Sequence, residues 1–246
     1  MTKAEKSRLD ELLVRRGFSD SLSNAKAMIM SGDVIVDDQR VDKPGTTVSV
    51  TASIRLKDEG RFVSRGGDKL DGAIQDLNLA DQFMGKTILD IGASTGGFTD
   101  CVLSHGAASV IAIDVGTAQL AWKLRQDHRV TSIEKLDIRD FDGSAHPKID
   151  WVVADVSFTS LAKLVPDIRR VAPYAAVLLL VKPQFELPRE MVPNGGIVTD
   201  DDDRKLALRH VREALEANGY LIRAEVDARV AGKQGNREIF IFAVPK

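Results

Sequence analysis

Cysteine is nearly absent from this chain of 246 residues, in which Cys101 stands alone. A single cysteine forms no internal disulfide, so we expect a reducing, cytoplasmic setting and a packing role for Cys101. Long apolar runs are missing as well: the longest, residues 175–181, is far shorter than the roughly 20 residues that span a bilayer. The charged N-terminus lacks the apolar core of a signal peptide. We therefore expect no stable membrane association.

An excess of charge of one sign is absent too, because the formal net charge is −2. Any contact with nucleic acid must then come from local basic patches. The four histidines have no spacing typical of metal ligands, so we expect that no metal is required. The acidic run at residues 200–203 is expected to cap the helix after it, where negative charge meets the positive end of the helix dipole.

Residues 1–58 have the pattern of a small domain of their own. Apolar residues at helical spacing predict a first helix that ends at Gly17 and a second helix at residues 21–30, with Ser21 as its N-cap. Valines that alternate with polar residues between Val34 and Val50 predict short antiparallel strands. A domain of this size buries only a small core, so we expect that it presents a surface.

This pattern resembles the S-four-type RNA-binding domain, with Arg8-Leu9-Asp10 and residues 42–45 among its matching positions. Such domains hold the phosphate backbone of structured RNA, so the resemblance implies phosphate contacts by basic residues. The implied RNA-binding residues are Arg8, Arg15, Arg16, Lys26, Lys43 and, beyond the linker, Arg65. Leu22 departs from the family, which usually has an arginine there, and removes one expected contact. The alternative is that these cations form only a solvated helix face.

After a linker at residues 59–64, residues 65–246 alternate apolar strand-like runs with helical stretches. The predicted strands are 87–91, 110–114, one that ends at Asp137, 151–155, 176–182, 221–226 and 239–244; the predicted helices are 97–105, 119–126, 161–171 and 202–218. This alternation predicts an α/β fold with an open, mostly parallel, Rossmann-like sheet and helices on both faces. Residues 60–63 form a hypothetical hinge, with Phe62 and Val63 packing differently in the free and RNA-bound states.

The most informative segment is the glycine-rich turn at residues 90–99, which follows the first of these strands. Its glycines would let a ligand approach the backbone closely. It is not a Walker loop, because no Gly-Lys-Ser/Thr follows, and it lacks the strict GxGxxG spacing of dinucleotide sites. Its Asp-x-Gly-x-x-x-Gly-Gly form resembles the first motif of class I S-adenosylmethionine-dependent methyltransferases.

The expected cofactor site lies beyond the carboxyl ends of the strands, where open α/β sheets bind ligands. Asp90 is expected to hold the methionine amino group, Asp114 the ribose hydroxyls and Asp137 the adenine amino group, with Ile138 packed on the ring. The alternative is that these aspartates only form turns or cap helices. The complete predicted set is Asp90, Gly92, Ala93, Ser94, Gly96, Gly97, Phe98, Thr99, Asp114, Val115, Asp137, Ile138 and Asp155.

Four charged residues lie before or after predicted strands, where an enzyme built on such a sheet carries its catalytic side chains: Lys69, Asp155, Lys182 and Glu238. A lysine after the apolar run 177–181 is hard to explain structurally, because lysine is rarely buried without a partner. The Lys–Asp–Lys–Glu order resembles RNA ribose 2′-O-methyltransferases of the FtsJ type. Nearly the whole chain is similar to the TlyA family, rRNA 2′-O-methyltransferases that were historically called haemolysins. The resemblance implies that these four residues are catalytic, that S-adenosylmethionine is the methyl donor and that rRNA or a ribosomal subunit is the partner.

The chemistry of the implied reaction suits this set. A ribose 2′-hydroxyl is a weak nucleophile, and in-line attack on a sulfonium methyl requires positioning and activation. Lys182 would either accept the hydroxyl proton or stay charged and stabilise the developing alkoxide. The alternatives are a non-catalytic RNA-binding protein with a degenerate methyltransferase fold and a membrane-lytic haemolysin, for which the sequence has no spanning segment. Methylation of a base is a third alternative, but no Asn-Pro-Pro-Tyr-like or cysteine site is present.

Overall fold

The computed structural model describes residues 5–56, 60–232 and 235–246. The chain divides into two compact units, Met1–Glu59 and Gly60–Lys246, called here the N-terminal and C-terminal units. The predicted domain end at residue 58 and the start of the predicted linker at residue 59 lie outside the described residues.

The N-terminal unit is a small α+β structure. Its elements are β1 (Lys6–Arg8), α1 (Leu9–Arg15), α2 (Leu22–Met30), β2 (Val34–Val36), β3 (Gln39–Arg40), β4 (Thr47–Ser49) and β5 (Ile54–Leu56). β1 pairs with β4, and β2 lies between β3 and β5, all antiparallel. The predicted helix pair and short strands are confirmed, and Ser21 caps α2 by accepting a hydrogen bond from the N–H of Asn24. β1 was not expected, because Lys6-Ser7-Arg8 has no apolar alternation; it forms by pairing with β4.

The C-terminal unit is built on a seven-stranded sheet in the order β11-β12-β10-β9-β6-β7-β8. The strands are β6 (Thr87–Ile91), β7 (Ser109–Asp114), β8 (Val130–Glu134), β9 (Trp151–Ala154), β10 (Ala176–Val181), β11 (Tyr220–Asp227) and β12 (Ile239–Pro245). The five strands from β10 to β8 are parallel, and β12 runs antiparallel to both of its neighbours. From β6 the chain proceeds outward to β8 and then returns to β9 on the other side of β6. The topological switch point, where such sheets bind ligands, therefore lies between β6 and β9.

Helices cover both faces of this sheet, as predicted. They are α3 (Arg65–Asp76), α4 (Gly97–Ser104), α5 (Trp122–Arg125), α6 (Leu161–Val171), α7 (Pro183–Glu186) and α8 (Asp201–Ala217). Side chains alternate along each strand, so Leu89 packs in the core beneath α6 and α8 while Ile88 packs in the core beneath α3 and α4. Cys101 is buried in the second core, as expected. Asp200 caps α8 by accepting from the N–H groups of residues 202 and 203, which confirms the expected capping role of the acidic run.

Two boundaries in this unit differ from the predictions by three residues, whereas the others agree to within one residue. β8 ends at Glu134 and not at Asp137, because the positive φ of Lys135 (57°) interrupts the strand. The helix predicted at residues 119–126 is reduced to α5, because the backbone of Ala121 is extended and starts the helix only at Trp122.

Helix α3 is an element that the sequence does not indicate. Gly66 and Gly67 in its first turn lower helix propensity by about 1 kcal/mol each. The helix forms nevertheless, because Leu70 and Ile74 are completely buried in the core that α3 shares with α4. Tertiary packing therefore overrides local propensity here.

The segment before α3, which we expected to be part of a linker, is fixed to the C-terminal unit. Phe62 is buried in the core of that unit, and the N–H of Val63 donates to the carboxylate of Asp100. Arg61 forms a salt bridge with Asp71. The hypothesis that Phe62 and Val63 repack on RNA binding stays a prediction.

Candidate functional site

The glycine-rich loop connects β6 to α4 at the switch point. Gly92, Ser94 and Gly96 have positive φ values of 77°, 48° and 95°, so the backbone turns sharply. A Cβ atom at Gly92 would lie 2.8 Å from the carbonyl oxygen of Asp155, which requires glycine where the loop passes the end of β9. The left-handed Ser94 is held in place because its N–H donates to Asp114 at 2.8 Å.

Asp90 is the penultimate residue of β6 and has an unusual environment. Its side chain is completely buried, and its Oδ2 accepts a hydrogen bond from the Thr99 hydroxyl at 2.6 Å. Its Oδ1 has no hydrogen-bond partner among the described residues. Burial raises the pKa of the Asp90 carboxyl to about 7, against the lowering effect of the Thr99 hydrogen bond. Because buried acceptors are normally paired, this oxygen is the kind of group that a ligand donor satisfies.

Asp114 lies at the end of β7, beside the same loop. Its two carboxylate oxygens accept hydrogen bonds from the N–H groups of Ser94 and Gly116, at 2.8 and 2.7 Å. A small cleft next to it is bordered by Ala93 and Gln119. Val115, which follows Asp114, is exposed. Asp114 therefore forms a turn, which was the alternative to a role in cofactor binding, and it does so at the border of a cleft.

Asp137 and Ile138 are placed less favourably for a ligand. Asp137 caps the short 3₁₀ helix Ile138–Asp140, and its two oxygens bind the guanidinium of Arg139 at 2.8 and 2.6 Å. This pairing lowers the pKa of Asp137. Ile138 is buried in the core beneath α6 and α8. The helix-capping alternative describes Asp137 well, and adenine contacts by this pair stay a prediction.

The N-terminal ends of α3 and α4 meet beside the loop. A Cβ atom at Gly97 would lie 2.2 Å from the hydroxyl oxygen of Ser64 and 2.8 Å from the backbone nitrogen of Gly67. Neither helix has a side-chain cap. The uncapped first turns of the two helices, together with the positive ends of the helix dipoles, favour a bound anion at this point. Phe98, in the first turn of α4, is buried and stacks on Phe240.

The four predicted catalytic residues form two ion pairs. Lys69 Nζ lies 2.6 Å from Glu238 Oε2, and both side chains are at least nine-tenths buried. Lys182 Nζ lies 2.6 Å from Asp155 Oδ1 and donates a hydrogen bond to the hydroxyl of Ser157 at 2.8 Å. Each lysine therefore has the partner that a poorly exposed ammonium needs.

Strand register brings these pairs to one edge of the sheet. Val181 is the register partner of Ile239 in the antiparallel pair β10–β12, so Lys182 and Glu238 follow as neighbours at the strand ends. Asp155 stands at the end of the adjacent strand β9. A Cβ atom at Gly66, in the first turn of α3, would lie 3.8 Å from Asp155 Oδ2, so the helix that carries Lys69 starts at the same place.

Two aromatic residues beside Lys182 were not predicted from the sequence. Phe158 is 93% exposed and has a positive φ of 64°, which is rare for a residue with a bulky side chain. Its ring packs against that of Phe185, with centroids 5.4 Å apart, and the Phe185 ring lies 6.0 Å from Lys182 Nζ. The pattern of apolar residues predicts that aromatic side chains are buried, so no signal in the sequence distinguishes an exposed aromatic ring from a buried one.

The predicted RNA-binding residues fall into two groups. Arg8 pairs with Asp10 at 2.7 Å, and Arg16 donates to the carbonyl oxygens of residues 50 and 52, so both help to hold the N-terminal unit together. The other four residues are exposed and form no salt bridge within the described parts of the chain: Arg15, Lys26, Lys43 and Arg65. Leu22 is also exposed, on α2.

His105 has neighbours that its sequence spacing does not indicate. Its Nε2 lies 2.8 Å from Asp71 Oδ1, and the donor atoms of Asp71, Cys101 and His105 lie within 4.8 Å of one another. The other oxygen of Asp71 accepts hydrogen bonds from Arg61 and Gln75, and the guanidinium of Arg61 balances the charge of the carboxylate. Burial raises the pKa of the Cys101 thiol, so it is protonated.

Two family models match the chain. Residues 62–244 match the FtsJ-like methyltransferase model, and residues 7–54 match the S4 domain model. A curated relative, the 16S/23S rRNA (cytidine-2′-O)-methyltransferase TlyA of Mycobacterium tuberculosis, is 39% identical over 243 residues, which cover 97% of this chain and 90% of that protein. The chain belongs to the TlyA family of FtsJ-like methyltransferases. The predicted family and fold class are thereby confirmed.

Other members of the TlyA family carry a different kind of name. Hemolysin A of Brachyspira hyodysenteriae is 37% identical over 236 residues, which cover 94% of this chain and 97% of that protein. A solved structure from Streptococcus thermophilus, of a protein provisionally named a hemolysin, matches with a TM-score of 0.73 at 36% identity, over 99% of this chain and 90% of that one. Among the described residues, no helix combines the length and the apolar character needed to cross a membrane.

Proposed function

We propose that this member of the TlyA family transfers a methyl group from S-adenosylmethionine to a ribose 2′-hydroxyl of ribosomal RNA. The observation that carries the proposal is the Lys182–Asp155 ion pair, which stands at the switch point directly beside the glycine-rich loop. The named activity of the Mycobacterium tuberculosis relative supports the same chemistry and substrate.

The residues of the loop fit the methionine part of this donor. The unpaired Oδ1 of buried Asp90 suits an ammonium group, which would also hold the Asp90 carboxyl in its ionised form. The uncapped first turns of α3 and α4 suit the carboxylate. Asp114, at the cleft, stands where an acidic residue would accept from ribose hydroxyls. When bound there, the donor supplies an electrophilic methyl group on its sulfonium.

The two ion pairs would act on the methyl acceptor, which is the ribose 2′-hydroxyl. Lys182 would contact the 2′-oxygen, where a neutral amine takes up the proton and an ammonium stabilises the alkoxide. Asp155 and Glu238 neutralise the two lysines, so the set can remain poorly exposed. The proposal holds for either form of Lys182, because both forms need the same position of Nζ.

The exposed ring of Phe158 suits the base of the target nucleotide. Sequence-specific proteins recognise unstacked RNA bases largely by stacking on aromatic side chains. A left-handed backbone at Phe158 is a local strain of the kind that persists at functional sites. The exposed cations Arg15, Lys26 and Lys43 would add phosphate contacts made by the S4 domain, and Arg65 one made by the C-terminal unit.

Incorporation of labelled methyl groups tests the proposal. Purified protein with S-adenosylmethionine should methylate unmodified rRNA or ribosomal subunits, and the Lys182→Ala variant should lose this activity while it still binds the methyl donor. Failure of the parent protein to methylate either substrate would favour a non-catalytic RNA-binding protein. Equal rates in the variant and the parent would exclude the role of Lys182.

A further inference from the structure

The contacts of Lys182 differ in how strictly they fix its direction. Asp155 Oδ1 lies 2.6 Å from Lys182 Nζ but accepts no hydrogen bond from the described residues, so this contact is ionic. The hydroxyl oxygen of Ser157 accepts a true hydrogen bond from Nζ at 2.8 Å. Because a hydrogen bond weakens steeply with angle, Ser157 constrains the orientation of Nζ in a way that Asp155 does not.

This constraint determines what the amine offers to a substrate. Nζ has three positions besides its bond to Cε. The hydrogen bond to Ser157 occupies one of them, and the carboxylate of Asp155 lies against Nζ without forming a hydrogen bond. A position that stays open carries an N–H in the ammonium and can carry the lone pair in the neutral amine. We propose that Ser157 is a positioning residue that aims an open position of Lys182 at the ribose 2′-oxygen. The inference rests on the function proposed above.

Ser157 can act in this way because the segment that carries it is itself fixed. Three residues further on, the hydroxyl of Ser160 donates to Glu186 Oε2 at 2.7 Å, and the N–H of Leu161 donates to Glu186 Oε1 at 2.6 Å. Glu186 is buried at the end of α7, the helix that begins directly after Lys182. The segments after β9 and β10 are therefore joined at both ends, by Lys182–Ser157 and by Glu186–Ser160.

The side chain of Ser157 has little to do with folding. Residue 157 is exposed, and within the described residues its hydroxyl makes no hydrogen bond other than that with Lys182. Removal of this hydroxyl should therefore leave the stability of the protein unchanged. Thr159, two residues away on the same segment, makes no side-chain hydrogen bond within the described residues and serves as a matched control.

The test compares the parent protein with Ser157→Ala, Ser157→Thr and Thr159→Ala. Single-turnover methylation of unmodified rRNA would be measured at saturating S-adenosylmethionine, with KM for RNA and the affinity for the methyl donor measured separately. Ser157→Ala should slow transfer about 10- to 100-fold, because small misplacements of reacting groups have effects of this size. Its KM and donor affinity should stay within about twofold of the parent. Ser157→Thr keeps the hydroxyl and should retain most of the rate, and Thr159→Ala should match the parent.

Three results would overturn the inference while leaving the proposed function in place. One is a Ser157→Ala rate within twofold of an active parent protein. Another is a slow Ser157→Ala variant whose defect lies in KM or in donor affinity, which would indicate a role in binding. The third is a Ser157→Thr variant as slow as Ser157→Ala, because the hydroxyl would then not be the feature that matters. A parent protein without any methylation activity would instead overturn the proposed function, and this inference with it.

Discussion

Replacement of Asp90 with asparagine should stabilise the free protein at pH 8 and weaken its binding of S-adenosylmethionine. Asp90 is completely buried, and burial raises the pKa of its carboxyl from 3.8 to about 7. A difference of about 3 between the folded and unfolded pKa corresponds to ~4 kcal/mol of folding free energy. At pH 8 the free protein therefore holds a largely ionised, partly unpaired carboxylate in its interior.

The pH dependence has a definite sign. Because the folded pKa of Asp90 lies above the unfolded one, the folded state holds the proton more tightly. The stability that this proton confers is complete below about pH 4 and is lost as the pH rises through about 7. Asparagine does not ionise, so the Asp90→Asn variant escapes this loss. Its free energy of unfolding relative to the parent should therefore rise by ~2–3 kcal/mol between pH 5 and pH 8.

Urea unfolding of both proteins at pH 5 and pH 8, without the methyl donor, measures this difference. Calorimetric titration with S-adenosylmethionine at pH 8 measures the second effect, and the variant should bind at least tenfold more weakly, as expected for loss of a charged hydrogen bond. A stability difference that is the same at both pH values would refute the reasoning about Asp90 ionisation. Equal affinity for the donor would refute the role of Asp90 in holding its ammonium group.

Three further predictions concern stability and RNA binding. Lys69→Ala leaves the carboxylate of Glu238 buried and unpaired, and should lower the free energy of unfolding in urea by ~3–5 kcal/mol, whereas Lys69→Met with Glu238→Leu should recover most of the loss. Glu186→Ala removes the carboxylate that binds the first turn of α6, and calorimetry should show a loss of ~1–3 kcal/mol. Arg15→Gln with Lys43→Gln should weaken RNA binding and reduce the salt slope of log K by about 2, and an unchanged slope would exclude phosphate contacts by these residues.

The sheet could be predicted from sequence because its strands are short apolar runs that end in charged residues. The apolar runs before Lys182 and before Asp90 can be recognised as strands without any knowledge of tertiary contacts. Parallel strands then necessarily bring their carboxyl ends to one edge of the sheet. That geometry explains why residues as distant in sequence as Asp155 and Lys182 could be assigned to one site before their 2.6 Å contact was seen.

The features that escaped prediction depend on tertiary contacts. Helix α3 has glycines at its second and third positions, and only burial of Leu70 and Ile74 makes it a helix. The alternation that indicates strands continues weakly past Glu134, whereas the backbone turns at Lys135. Phe158 would be assigned to the core because its side chain is large and apolar, yet its ring is exposed to solvent. The pattern of apolar residues along a sequence indicates which residues are buried and whether they form a helix or a strand. It gives no information about backbone strain or about which polar side chains contact one another.

The proposed acceptor atom of the methyl group is a ribose 2′-oxygen of rRNA. The most direct measurement is a map of 2′-O-methyl positions on unmodified rRNA after incubation with S-adenosylmethionine, with the parent protein and with the Lys182→Ala variant. We expect a new 2′-O-methyl group at a defined nucleotide with the parent, none with Lys182→Ala, and none when that nucleotide carries a 2′-deoxyribose. A methyl group on a base, or methylation that persists on the 2′-deoxy substrate, would contradict the claim.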